Sequence, residues 1–162
     1  MPAQPKLHLV CGKIAAGKST LCQQLAGELA TILLREDDWL STLWPGEVAS
    51  LEDYVRCSTR LRAIIGPHVA DLLRAGLSVV LDFPANTLAS RAWMRTIIDE
   101  AGVAHTLHWL NFDDETCKAR LRERNAAGAH AYAASEAEFD LFTRYFVPPG
   151  TEEGFDVVVY HE

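Results

Sequence analysis

Residues Gly12-Lys13-Ile14-Ala15-Ala16-Gly17-Lys18-Ser19 follow the pattern G-x-x-x-x-G-K-[S/T] and run on into Thr20. Each residue type has a task in that pattern. Glycines take backbone turns closed to other residues and let the chain come close to a ligand. The N–H groups of such a loop, with the N-terminus of the helix behind it, face an anion. Lys18 reaches the β- and γ-phosphates of a nucleoside triphosphate, and the Ser19 hydroxyl ligates Mg²⁺. Gly12 through Thr20 are therefore expected to hold the phosphates of a nucleotide. A chance glycine loop is the alternative, but with glycine at ~7% of residues a bare match arises in fewer than about 1 in 100 chains of this size.

Acids stand where strands should end. Asp82 closes "VVLD", and the carboxyl ends of strands line the ligand crevice of a parallel sheet. Asp82 is a candidate to hold Mg²⁺, directly or through water; the alternative is a turn residue before Pro84. In "LLREDDWL", Glu36, Asp37 and Asp38 gather three acids. A phosphoryl acceptor needs a residue that takes its hydroxyl proton. Asp37 is the first choice for that base and Asp38 the second. A solvated, acidic helix start is the other reading.

Arginines follow in "DDETCKARLRERN". At ~100° per residue, Arg124 lies about 20° and Arg120 about 60° from Cys117. Cys117 and Leu121 mark the buried side, so Arg120 and Arg124 are expected to face the protein body. Lys118 and Arg122 are expected to face water. Two inward guanidinium groups suit a transferring phosphoryl group; the alternative is that they only balance the helix dipole. Guanine recognition lacks support. No N-K-x-D occurs, and one D-x-x-G match, Asp99 to Gly102, falls at an expected helix end.

Alternating strands and helices must position these residues. Apolar strand runs are expected at Leu7–Cys11, Thr31–Leu34, Gly76–Phe83, His105–Phe112 and Phe155–Tyr160. A long helix is expected over Leu51–Arg74. An amphipathic helix over Ala89–Ala101, with Ala89, Ala92, Trp93, Ile97 and Ala101 on one face, ends at Gly102. Asp113 is an N-cap for a helix through Arg124. Continuous apolar strands alternating with helices specify an α/β fold, a three-layer, doubly wound, five-stranded parallel sheet.

The chain has 162 residues, 49% hydrophobic and 23% charged, which suits one domain with its own core. Its net charge of −7 argues against wrapping long nucleic acid. The four cysteines form no C-x-x-C pair, which reads as a reduced, cytoplasmic protein without a zinc site. No signal peptide or membrane span is expected. His105 and His108, three apart in a strand, point to opposite faces and share no metal. Residues 126–134, "AAGAHAYAA", are compositionally biased.

The ordered set "GKIAAGKST", "REDDWL", "VVLDF", "RLRERN" and "FVPPGTEEGFDVV" resembles the small P-loop kinases, including chloramphenicol phosphotransferase, zeta toxins and the kinase domain of polynucleotide kinase. It looks closest to short bacterial ATP-binding proteins of the zeta-toxin-like AAA set. That resemblance spans nearly the whole chain. It implies a nucleoside-kinase-like strand order 2-3-1-4-5 and Mg²⁺-ATP as donor. It also implies one kinase domain over 1–162, with a short lid around 120–135. In such relatives the aspartate before an aromatic residue after strand two is the base, matched by Asp37-Asp38-Trp39. Arg120 and Arg124 match the lid arginines that bind ATP phosphates, and Pro148, Pro149 and Gly150 match the segment beside the adenine.

The acceptor expected is a hydroxyl on a small molecule. Arg56, Arg60 and Arg62 lie in the region where relatives bind it. Arg56 and Arg60 either meet an anionic acceptor or pair with Glu52 or Asp53 one turn away. Arg91 is a further candidate, and Trp39 and Trp44 are candidates to line the pocket after Asp37. The competing readings are a polynucleotide 5′-hydroxyl kinase and an ATP-binding module with little or no turnover.

Overall fold

A computed structural model describes residues 4–128 and 134–161. The biased stretch therefore falls partly, over 129–133, outside the described residues, as does that part of the expected lid. The elements run in the order β1 Lys6–Gly12, α1 Lys18–Leu25, β2 Thr31–Arg35, α2 Glu36–Leu43 and α3 Leu51–Arg74. They continue with β3 Ser78–Pro84, α4 Leu88–Ala101, β4 Ala104–Leu110, α5 Asp114–Ala127, α6 Glu136–Arg144 and β5 Val157–Tyr160. One 3-10 turn, Thr151–Glu153, precedes β5. No helix among the described residues is long and apolar enough to cross a membrane.

All strand pairs are parallel, and the sheet order is β2-β3-β1-β4-β5. Alternation along the strands divides the core. Leu7, Leu9, Cys11, Leu81, Phe83 and Leu107 point to one face and meet Leu61, Ile65 and Leu73 of α3 with Met94 and Ile97 of α4. On the other face Val10 and Val80 meet Cys22 of α1. Further along, Leu110 meets Cys117 and Leu121 of α5 and Phe139 of α6. Burying each of these larger side chains contributes about 1.5–3 kcal/mol.

Local chemistry sets the helix ends. Ser50, Thr87 and Asp113 accept from the backbone N–H three residues on, at the starts of α3, α4 and α5. Gly102, with φ of 64°, ends α4 in the left-handed region. α3 runs through Pro67, and Gly66 beside it is required by packing, since a Cβ there would lie 3.1 Å from the Trp93 indole nitrogen.

Two expectations about helices need correction. The buried stripe of α4 is Ser90, Arg91, Met94, Ile97 and Ile98, not Ala89 and Ala92, which are exposed. Trp93, Ile97 and Ala101 of the expected face do pack on the core, and the buried side extends to Arg91, which is held in an ion pair with Glu153. α6 lay unread in the sequence, although Ser135 and Glu138 form a capping box that marks its start.

One irregularity positions the site. β1 and β3 pair Leu9 with Leu81, but the next pair is Val10 with Pro84. Two residues of β3, Asp82 and Phe83, are thus extra. The overshoot carries Ala85 and Asn86 level with the end of β1, where Ala85 N–H donates to Val10 O at 3.0 Å.

Candidate functional site

β1 ends at Gly12, and the loop over 13–17 leads straight into α1. Gly12 is packed so tightly on β4 that a Cβ would sit 3.1 Å from Leu110 O. Gly17 caps α1 with φ of 103°, a conformation glycine takes at no steric cost. Ala15 takes φ of 63° without that freedom, so the loop stores backbone strain. The first N–H groups of α1 have no side-chain cap and face the crevice at the sheet's carboxyl edge.

Lys18 curls back over its own loop. Its Nζ donates to Gly12 O at 2.6 Å and to Lys13 O at 2.7 Å. Burial pulls its ammonium below the usual lysine range, and Asp82 opposes that shift. Ser19 Oγ donates to Asp82 Oδ2 at 3.4 Å. Burial, first, and the Asp37 carboxylate, second among the raising causes, push the Asp82 carboxyl above its usual range; Lys18 and Arg35 pull it down. Lys13 Nζ reaches Asp114 Oδ1 at 2.6 Å, Ile14 and Ala15 pack against the α5–α6 core, and Thr20 is exposed on the first turn of α1.

Asp37 and Asp38 lie exposed in the first turn of α2, whereas Glu36 is 1% exposed. The Glu36 carboxylate accepts from Tyr54 OH, from Ser58 Oγ at 3.0 Å and from Arg62 Nη2 at 3.5 Å. Burial raises its carboxyl above the usual range. These bonds lock the start of α2 to α3 and leave Asp37 on the crevice side.

α5 brings both arginines to the crevice. Arg120 Nη1 donates to Ala16 O at 3.1 Å, and its guanidinium lies 4.6 Å from the centre of the Phe112 ring. Arg124 is pulled down by burial and raised by Asp37, and its buried Nε has no hydrogen-bond partner among the described residues. The structure thus brings Lys18, Ser19, Asp82, Asp37, Arg120 and Arg124 around one crevice. Lys118 departs from expectation. Its Nζ pairs with Asp140 of α6 at 3.0 Å and lies 5.6 Å from the Phe139 ring, because α6 covers that side of α5. Arg122, beyond it, pairs with Glu136 at 2.6 Å on the surface.

Other candidates are engaged elsewhere. Arg56 pairs with Asp53 at 3.1 Å, one turn away, and Arg60 is exposed. Arg62 stacks 5.0 Å from the Trp93 ring and donates to Ser90 Oγ at 2.9 Å. Arg91 is no acceptor contact. It is fully buried, with Nε on Glu153 at 2.8 Å, Nη1 on Ala85 O at 2.9 Å and Nη2 on Pro148 O at 3.4 Å. It ties the segment over 148–153 to the start of α4. Trp44 packs on the main core, while Trp39 is 38% exposed. His105 and His108 do face opposite ways: His105 meets Phe155 and the Asp156 N–H, and His108 meets His8 and Tyr160.

Asn86 escaped the sequence reading. Its side-chain amide holds Gly12 at both ends, and its own carbonyl accepts from Val147 N–H at 2.8 Å. The only sequence signal was an amide four residues past the acid, Asp82, that closes a strand run.

The fold and the glycine-lysine loop define a P-loop protein of the small-kinase architecture. Residues 7–149 match AAA_33, an AAA domain, and the chain belongs to that family. A protein of Chloroflexus aurantiacus J-10-fl shares the fold at a TM-score of 0.74 and 23% identity, over 98% of this chain and 85% of that one. A sugar kinase from Janibacter sp. HTCC2649 does so at 0.68 and 15%, over 97% and 85%. The Mycobacterium tuberculosis APS kinase CysC, solved with AMPPNP and APS, does so at 0.62 and 17%, over 99% and 90%. Comparison with curated proteins yields no match.

Proposed function

We propose that this protein is an ATP-dependent phosphotransferase that moves the γ-phosphate of ATP to a hydroxyl of a small-molecule acceptor. The observation that carries the reading is the position of Asp37, exposed at the start of α2 and near enough for its charge to act on both Asp82, which accepts from Ser19 of the phosphate loop, and Arg124 of α5. A base for the acceptor and cations for the donor thus share one crevice. The nucleotide and small substrate held by the structurally similar APS kinase support a donor and acceptor of this kind.

Gly12 through Thr20 form the cradle for the triphosphate, with Lys18 as its principal cation. The acceptor O–H loses its proton to an Asp37 carboxylate oxygen while its oxygen bonds to the γ-phosphorus. The bond from that phosphorus to the β–γ bridging oxygen breaks, and ADP leaves with the electron pair. Arg120 and Arg124 stand where charge develops on the transferring group. Ser19 and Asp82 fit Mg²⁺, because a hydroxyl sits on a half-buried carboxylate already raised by burial and a second acid. Bound there, the ion neutralises phosphate charge. The C-terminal half of α5, over 120–127, belongs to a short lid of one kinase domain. Four buried, unpaired cysteines suit a reducing, cytoplasmic setting.

The experiment is ATP turnover across a panel of hydroxyl compounds, with AMPPNP binding followed by calorimetry. Lys18→Ala should abolish AMPPNP binding. Asp37→Asn should bind AMPPNP normally and lose transfer by about 10²–10⁴-fold. Full activity in Asp37→Asn would remove Asp37 as the base, and tight AMPPNP binding with no acceptor in the panel would favour a non-catalytic module.

A further inference from the structure

We propose that Asn86 is a positioning residue of the phosphate loop: its side-chain amide completes the sheet pairing of Gly12 and keeps the Gly12 carbonyl partnered when Lys18 leaves it for a phosphate. The inference rests on the reading that the loop binds a nucleotide.

β1 and β3 stop pairing by backbone after Val10, because β3 has spent two extra residues by that point. Gly12 lies beyond the last backbone bond on that side. Its N–H donates to Asn86 Oδ1 at 2.9 Å, and Asn86 Nδ2 donates to Gly12 O at 2.9 Å. A carboxamide carries the same donor and acceptor as a peptide group, so Asn86 acts as a surrogate strand residue. Gly12 is buried, so neither of its polar groups has water as a substitute.

The Gly12 carbonyl has two donors. One is Asn86 Nδ2; the other is Lys18 Nζ at 2.6 Å, which also holds Lys13 O at 2.7 Å. A lysine ammonium has three protons, and here two of its bonds go to loop carbonyls. To engage phosphate oxygens it must loosen that grip. Lys13 O retains the Ala16 N–H at 3.1 Å. Among the described residues, Gly12 O then retains Asn86 alone. A buried carbonyl with no donor would oppose the movement of Lys18, and the amide of Asn86 removes that opposition.

Asn86 also carries the base-side segment. Its backbone carbonyl accepts from Val147 N–H at 2.8 Å, next to Pro148 and Pro149. One residue therefore sets the spacing between the loop's entry and the chain segment before β5.

The test is AMPPNP binding by calorimetry from pH 5 to pH 8 for the whole chain, its Asn86→Asp variant and its Asn86→Ala variant, with thermal melts to establish folding. Asn86→Ala should bind roughly 10-fold more weakly at every pH, the loss of one buried donor. Asn86→Asp keeps the acceptor for Gly12 N–H but, when ionised, sets an oxygen against Gly12 O. It should bind at least about 10-fold more weakly at pH 8, and the gap to the wild type should narrow toward pH 5, because burial against the Gly12 carbonyl raises the introduced carboxyl above its ordinary range and lets it take up a proton and donate again. A residue needed only for folding would not show that narrowing. Equal binding by Asn86→Asp and the wild type at pH 8, or a gap independent of pH, overturns the role of Asn86 and leaves nucleotide binding standing. Absence of AMPPNP binding by the wild type overturns the nucleotide reading and this role with it.

Discussion

Glu36 and Asp37 are neighbours in sequence and face opposite environments. Glu36 is sealed between α2 and α3 on Tyr54, Ser58 and Arg62, while Asp37 is exposed to the crevice, where its charge is felt by Asp82 and Arg124. The buried acid fixes the direction of the exposed one. A first turn with three acids thus seals one of them as an anchor and leaves the next open to the crevice.

Removing the anchor has a predictable cost. Glu36→Ala leaves the Arg62 guanidinium, 17% exposed, without its carboxylate and two hydroxyls without an acceptor. Breaking a buried pair from one side should destabilise by about 3 kcal/mol. Glu36→Gln keeps an acceptor oxygen and should cost about 1 kcal/mol. Urea denaturation checks both. AMPPNP affinity should stay within about twofold for Glu36→Gln, because the loop over 12–20 is set by other residues.

Asp82 offers a cleaner test of the metal assignment. Asp82→Asn removes the cost of burying a charge beside Ser19, which outweighs the attraction to Lys18 that is lost with it, and relieves repulsion with Asp37, so the protein alone should melt at or above the wild-type temperature. AMPPNP without Mg²⁺ should still raise the melting temperature. The extra rise on adding Mg²⁺, present in the wild type, should vanish. A Mg²⁺ increment unchanged in Asp82→Asn would remove Asp82 from the metal site.

The Arg91–Glu153 pair holds the segment before β5. Arg91→Met should destabilise by about 3–5 kcal/mol, since Glu153 and two backbone carbonyls lose a donor together. Arg91→Lys restores charge but not the planar fork, and should recover less than half of that loss. Urea titrations of both variants and of Glu153→Gln decide it; a loss under about 1 kcal/mol in Arg91→Met would show that the segment is held by its prolines and packing alone.

How much of this was readable beforehand divides along physical lines. Strand order, the span of α3 and the Asp113 cap follow from local pattern and a shared family architecture, and the structure agrees with them. The crevice residues were found because each carries a chemical signature in its type and spacing. Lys118 is misread because a helical wheel knows nothing of the element packed against it, here Asp140 of α6; Arg91, a candidate only because it follows the loop after β3, is claimed by Glu153, 62 residues away. The anchoring role of Glu36, legible only as one of three acids, and the role of Asn86 escape for the same reason. Their partners are brought in by the α2–α3 packing and by the two-residue overshoot of β3, and neither is written in any window around them.

The pH dependence of stability should expose the polar chain His8–His108–Tyr160. His8 Nδ1 lies 3.1 Å from His108 Nε2, and His108 Nδ1 lies 2.8 Å from Tyr160 OH. Burial, followed by the charges of His8 and Lys6, pulls His108 down to about 4. The unfolded chain takes up a proton there near pH 6.5 and the folded protein only near pH 4. Between those values the unfolded state binds more protons, so stability is fully present above pH 6.5 and is lost as pH falls through the window. The loss should reach about 2–3 kcal/mol. Glu36 acts in the opposite sense: its raised carboxyl keeps a proton longer in the folded state, which favours folding as pH falls. The two are separated by comparing the wild type with His108→Gln in urea titrations at pH 7.5 and pH 4.5. His108→Gln should be the less stable protein at pH 7.5 and should lose about 2–3 kcal/mol less on acidification. Parallel losses in the two proteins would show that His108 is not the group that titrates.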